Sequence, residues 1–214
     1  MKTIKKILAI VLLACMALSF ASCASSGPEK TAEKYVAAMA ELDIKKMSKY
    51  TAVDNKDIFN AMIAAMMEEG DMSKKEVYEK LSESLDDKKI DGYGDYCKLL
   101  KENAKDALKE TYEKKYKIRT SAVASEVLEE AEKYSVIKKF ASKYDETGID
   151  PTDDVNFAKV KECRRVTVKM YFYEKGADYY TDVDSVELIM IRVGSKWIVL
   201  NDPTTVFGFG MEAG

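Results

Sequence analysis

The sequence predicts an α+β fold in which a run of helices is followed by a mostly antiparallel sheet of about four strands. Two observations carry this. Over residues 160–200 apolar side chains recur at a spacing of two, with Val160, Val166, Val168, Met170 and Phe172 on one parity and Thr167, Lys169, Tyr171 and Tyr173 on the other. Such alternation describes a strand with one buried and one wetter face. Over residues 28–112 the apolar positions recur at three and four instead, as on helix faces. The order is helices, strand, helix and then three strands in succession, which separates α+β from alternating βαβ architecture.

The chain opens on a leader. Lys2, Lys5 and Lys6 form a basic start, and residues 7–18 form an apolar run too short to span a bilayer as a mature helix. Residues 1–22 therefore read as a secretory signal. The phrase Leu18-Ser19-Phe20-Ala21-Ser22-Cys23 resembles the bacterial lipoprotein signal, in which small residues precede a lipidated cysteine. By that resemblance Cys23 becomes the lipidated N-terminus, residues 23–28 are a short tether, and the protein sits on the extracytoplasmic face of the cell membrane. Two acyl chains give stable anchoring where one is marginal. The competing reading is ordinary cleavage near Ala21 or Ser22, which releases the protein.

The folded domain is expected over residues 29–202. Pro28 followed by Glu29 reads as a helix start, with Tyr35, Val36 and Met39 as its stripe. Leu42-Asp43-Ile44 breaks that helix, and Met47 and Tyr50 continue a second. Over residues 57–69 the pairs Ile58 and Phe59, Met62 and Ile63, Met66 and Met67 mark a broad apolar helix face ended by Gly70. Ser73 with Glu76 is a capping box for a helix over 74–85 carrying Val77, Tyr78 and Leu81 inward. Residues 91–95, Asp-Gly-Tyr-Gly-Asp, read as a turn before a helix over 96–112, whose stripe includes Leu99, Leu100, Ala104, Ala107 and Tyr112.

At residue 116 the period changes. Tyr116, Ile118, Thr120 and Ala122 alternate with Lys117, Arg119 and Ser121, giving a strand over 116–123 polar enough for a sheet edge. Val127, Leu128, Ala131, Tyr134, Ile137, Phe140, Ala141 and Tyr144 then share one helix face. Three strands follow, near 160–173, 183–193 and 197–200, the last two joined at Gly194-Ser195-Lys196, where glycine suits a tight hairpin. Trp197, the only tryptophan, is expected inward against the helices. Pro203 cannot donate to a ladder, so residues 203–214 are a C-terminal tail, read either as a frayed end or as a strap with Phe207 and Phe209 as plugs.

Composition narrows the function. Removing the leader, with three lysines and no acid, takes the formal net charge from −3 to −6, which speaks against a nucleic-acid partner. Histidine is absent, which removes imidazole bases, His triads and most catalytic zinc sites. No catalytic, metal-binding or cofactor-binding set is singled out. In the domain only Cys97 and Cys163 remain, a candidate disulfide pair. Parity opposite to Val160 and Val166 sets Cys163 on the wetter face, against that pairing.

The helix pair over 35–50 and the segment 116–201, with its Gly194-Ser195-Lys196-Trp197 hairpin, resemble uncharacterised cell-surface lipoproteins of Gram-positive bacteria. Those are assigned to the nuclear-transport-factor-two-like, or cystatin-like, fold. The resemblance implies a curved sheet wrapped around the N-terminal helices in a cone, with a pocket between them. Tyr35, Met39, Met62, Met66 and Tyr171 are its candidate lining. Three functions compete: a non-enzymatic module binding a small apolar ligand or an envelope protein, an isomerase-like or cyclase-like enzyme using Asp and Tyr, and a structural surface protein with a filled core. The resemblance also implies a candidate homodimer through the open sheet face, with Tyr171 and Tyr173 as anchors.

Overall fold

Proline at the first helical position and a carboxylate in the first turn start α1, Pro28–Ala40, as the sequence predicts. This is seen in a computed structural model that describes residues 27–201 other than 86–87, 113–115, 146, 175–179 and 181. The leader over 1–22, Cys23 and the tail over 203–214 lie outside the described residues. After α1 the chain turns at Leu42, in the left-handed region at φ 47°. Asp43 then caps a single turn, α2, Ile44–Met47, accepting from the Lys46 N–H at 3.1 Å.

A helical layer follows. Asp54 caps α3, Asn55–Gly70, and the left-handed residue that ends it is Asp71, one place after the expected Gly70. The capping box forms: the Glu76 N–H donates to Ser73 Oγ and the Ser73 N–H to Glu76 Oε2, starting α4, Lys74–Ser84. Helix α5, Tyr93–Thr111, begins earlier than predicted. Asp95, expected in a turn, lies in the first helical turn and accepts from the Asp91 N–H at 3.2 Å, so its carboxylate favours the helix end instead of breaking it. Ala107, placed on the inward stripe by spacing, is exposed. These three helices share a core around Phe59, Ile63, Val77, Leu81, Ile90, Tyr96 and Leu99, with the Phe59 ring 5.1 to 6.5 Å from those of Tyr96, Tyr93 and Tyr78.

The sheet is fully antiparallel in the order β1, β2, β3, β4, with β1 at Tyr116–Val127, β2 at Val160–Glu174, β3 at Asp182–Val193 and β4 at Lys196–Val199. It curls into a half barrel. As predicted, β1 is an edge and Gly194 turns the last hairpin at φ 61°. Strand β1 runs past its expected end through a bulge between Ala122 and Ala124. Val127 therefore ends the strand opposite Arg164 instead of opening α6, Glu130–Ser142. It is 54% exposed, and Tyr134, also expected inward, is 71% exposed. The free edge of β4 is occupied: Ala52 N–H donates to Val199 O at 2.8 Å and Val199 N–H to Tyr50 O at 2.7 Å, so residues 50–52 add a short parallel partner.

Helices cover both faces of the sheet. On the inner face Val166, Val168, Met170, Leu188, Met190 and Val199 pack against Ala32, Tyr35 and Val36 of α1. At one end of the outer face, Phe140, Tyr144 and Leu128 pack on Cys163, Val160 and Ile191. This corrects the reading of Cys163, which is buried. An irregularity between Val160 and Glu162 shifts the β2 register by one, moving Val160 onto the face of Cys163, and that face is dry here because α6 lies on it.

Candidate ligand-binding groove

The inner face does not stay apolar to its end. Its last row is Glu162, Arg192 and Trp197, paired across β2, β3 and β4, with Arg164 one step inward on β2. Arg164 Nε donates to Glu162 Oε1 at 2.7 Å, and Arg192 Nη2 forms an ion pair with Glu162 Oε2 at 3.0 Å. Arg164 Nη1 also donates to Ser125 Oγ at 3.2 Å and lies 3.8 Å from the Glu29 carboxylate at the start of α1. A hydrogen bond from Ser125 holds the Glu29 carboxyl below its ordinary range, against the opposing effect of burial and with help from the Arg164 charge.

Both guanidiniums lie over Trp197, 6.0 Å from the ring centroid for Arg164 and 5.8 Å for Arg192, within reach of cation–π attraction. The indole is half-buried, not the fully inward anchor expected. Arg192 Nε is a buried donor without a partner among the described residues. Beside this cluster opens a groove of about 460 Å³ between α1, residues 49–51 and the last hairpin. Its walls carry the ammoniums of Lys49 and Lys196, the rings of Tyr50 and Trp197, and the hydroxyls of Thr31 and Thr51. A smaller cavity of about 220 Å³ lies between α6 and β3, with Val136, Phe140, Ile189 and Leu200 as walls and Lys139 and Lys143 at its rim.

The predicted lining residues do not converge. Tyr35 and Met39 belong to the filled contact between α1 and the sheet, while Met62 and Met66 border the separate core of α3, α4 and α5. Tyr171 is on the outer face, its ring 5.3 Å from that of Tyr180. The expectation assumed that every helix covers one sheet, but the α3–α5 layer buries its stripes within itself. Cys97 and Cys163 are both free and occupy different clusters, so the candidate disulfide is not formed. Burial pushes each thiol up to about 11.

Among the described residues, the buried polar side chains other than tyrosine and cysteine are Thr31, Asn55 and Asn201. No group of three or more Asp, Glu or Cys there is arranged to hold a metal ion, and no helix is long and apolar enough to cross a membrane.

Comparison with known proteins adds no relative. No family model matches the chain, and no curated protein or solved structure matches it.

The sequence did contain a trace of the groove. Glu162 and Arg164 share the parity of Val166 and Val168, so two charges stand on a face that is otherwise core. Charges in such positions must find partners, and Arg192, five residues before Trp197 across a two-residue turn, is where the hairpin register puts the second cation.

Proposed function

We propose that the protein is a lipoprotein held through Cys23 on the extracytoplasmic face of the bacterial membrane, with a nuclear-transport-factor-two-like domain acting as a non-enzymatic binding module. The Trp197 groove carries this reading. Its volume of about 460 Å³ falls in the range of ligand pockets, roughly 300–1,000 Å³. Tryptophan and arginine are also the side chains that most often dominate recognition surfaces. The mixed lining, aromatic with ammoniums and hydroxyls, suits a ligand with a polar or charged group better than a wholly apolar one. The contact between α1 and the sheet is filled, which favours this groove over the interior of the half barrel as the ligand site.

The test is purification of the intact protein from its native envelope, with mass spectrometry of accompanying proteins and extracted small molecules. The expected result is a molecule that accompanies the wild type and is lost from Trp197→Ala, both proteins giving the same far-ultraviolet circular dichroism. Identical sets of molecules on a folded Trp197→Ala would refute the groove as a binding site.

A further inference from the structure

We propose that the Trp197 groove is the membrane-facing end of the molecule and docks on anionic phospholipid headgroups of the bilayer that carries the Cys23 anchor. This rests on the binding-module and anchor readings above and names the partner of that same groove.

Position comes first. Thr31, one turn into α1, lines the groove, and Glu29 lies against Arg164, whose guanidinium covers Trp197. The start of α1 and the groove are thus one end of the molecule. From Cys23 to Pro28 the chain can reach roughly 17 Å when fully extended. An acylated Cys23 therefore keeps this end within reach of the headgroup layer.

Charge points the same way. The mature chain is acidic overall, yet the charged residues of the groove lining are Lys49 and Lys196, and beside it Arg164 and Arg192 pair with Glu162 and Glu29. Lys49 and Lys196 are exposed and have no ion pair among the described residues. An anionic surface would repel the rest of the molecule and attract this end, an orienting effect that acts within a Debye length of about 8–10 Å, inside the reach of the tether. The ligand chemistry also fits. Indole settles at the bilayer interface, apolar ring inward and N–H toward water, while the exposed ammoniums of Lys49 and Lys196 supply donors for phosphate oxygens.

Because Trp197 is the only tryptophan, it reports on its own surroundings. The acylated protein is reconstituted into vesicles of phosphatidylcholine alone or mixed with phosphatidylglycerol, with lipids brominated near the headgroup as quenchers. The expected result is a blue shift and strong quenching of Trp197 with phosphatidylglycerol, weak quenching without it, and reversal by salt. Lys49→Ala and Lys196→Ala, both at exposed positions, should each weaken the phosphatidylglycerol effect about fivefold. Equal quenching in both vesicle types would reduce the contact to mere proximity and overturn the proposal, as would none in either. Reproduction of the phosphatidylglycerol shift by soluble glycerol phosphate in the phosphatidylcholine arm would identify a free anion as the ligand and overturn it too. Intact mass separates the two underlying readings. A chain without acyl groups fails the anchor reading, and the same quenching measured on that chain added to preformed vesicles still decides the headgroup contact.

Discussion

Asn201→Ala should be among the most costly single substitutions in this protein. Asn201 is 2% exposed and Val53 and Asn55 are fully buried. The Val53 N–H donates to Asn201 Oδ1 at 3.2 Å, and Asn201 Nδ2 donates to Val53 O at 3.2 Å and to Asn55 Oδ1 at 3.3 Å. Asn55 in turn donates from Nδ2 to Ile44 O at 3.3 Å, so one amide pair ties the end of β4 to the junction between α2 and α3. Alanine leaves the Val53 N–H and the Asn55 side-chain carbonyl buried without their partner, at about 1–3 kcal/mol each before relaxation, while the Val53 carbonyl keeps the Thr51 hydroxyl at 2.8 Å. Carbonyls tolerate partial satisfaction better than N–H groups, so a total of about 2–4 kcal/mol is expected. Against a domain stability of about 5–15 kcal/mol this is a large fraction. Urea unfolding followed by Trp197 emission and circular dichroism measures it, the midpoint falling while the slope stays constant. Tyr144→Phe is the internal control. It removes one hydroxyl that donates to Asn201 O at 2.9 Å and should cost only about 1 kcal/mol. A loss below about 1 kcal/mol for Asn201→Ala would mean that water replaces the amide, and the accounting of buried partners would be wrong.

Three further outcomes are expected. Ser73→Ala removes half of the capping box of α4, and amide hydrogen exchange at Glu76 should speed up roughly fivefold with little change elsewhere. Cys97 and Cys163 should resist thiol reagents in the native state at pH 8 and react after unfolding. Since burial raises both folded thiols from 9.0 to about 11, their contribution to stability is complete below pH 9 and is lost as pH rises toward 11, a decline that Cys97→Ser and Cys163→Ser should each reduce. Cys23→Ala should move the protein from the membrane fraction to the medium with its fold unchanged, and full membrane retention would refute the anchor.

What the sequence made legible in the fold was what local periodicity controls. The capping box at Ser73, the Pro28 start, the Gly194 turn and the edge position of β1 each follow from a few neighbouring residues, and each appears in the structure. Where a distant element decides, spacing misled. Val127 and Tyr134 share a helical face with Phe140 in sequence, but the bulge at Ala122 and Ala124 carries β1 as far as Val127, and α6 then turns only its later residues to the sheet. Cys163 was misplaced because parity assumes an unbroken ladder and a solvated second face, and the β2 irregularity and α6 remove both conditions.

The groove was hidden for a related reason, and that reason bears on its function. The methionine stripe on α3 drew attention because it is dense in sequence, yet Met62 and Met66 surround Phe59 in a core made of neighbouring helices, so it records local packing alone. The groove joins Thr31, Lys49 and Trp197, residues from three separated segments, and no window along the chain contains them together. What holds them is again specific: Tyr50 and Ala52 pair with Val199, fixing Lys49 beside the last hairpin, and Glu162 binds both arginines that flank the indole. A carboxylate shared between two partly exposed guanidiniums ends a face otherwise built of Val, Met and Leu, which makes this rim of the half barrel polar where its interior is not. That this chain places two cations and its only tryptophan there, next to the start of α1, is the strongest argument that this end of the molecule is built to meet something outside it.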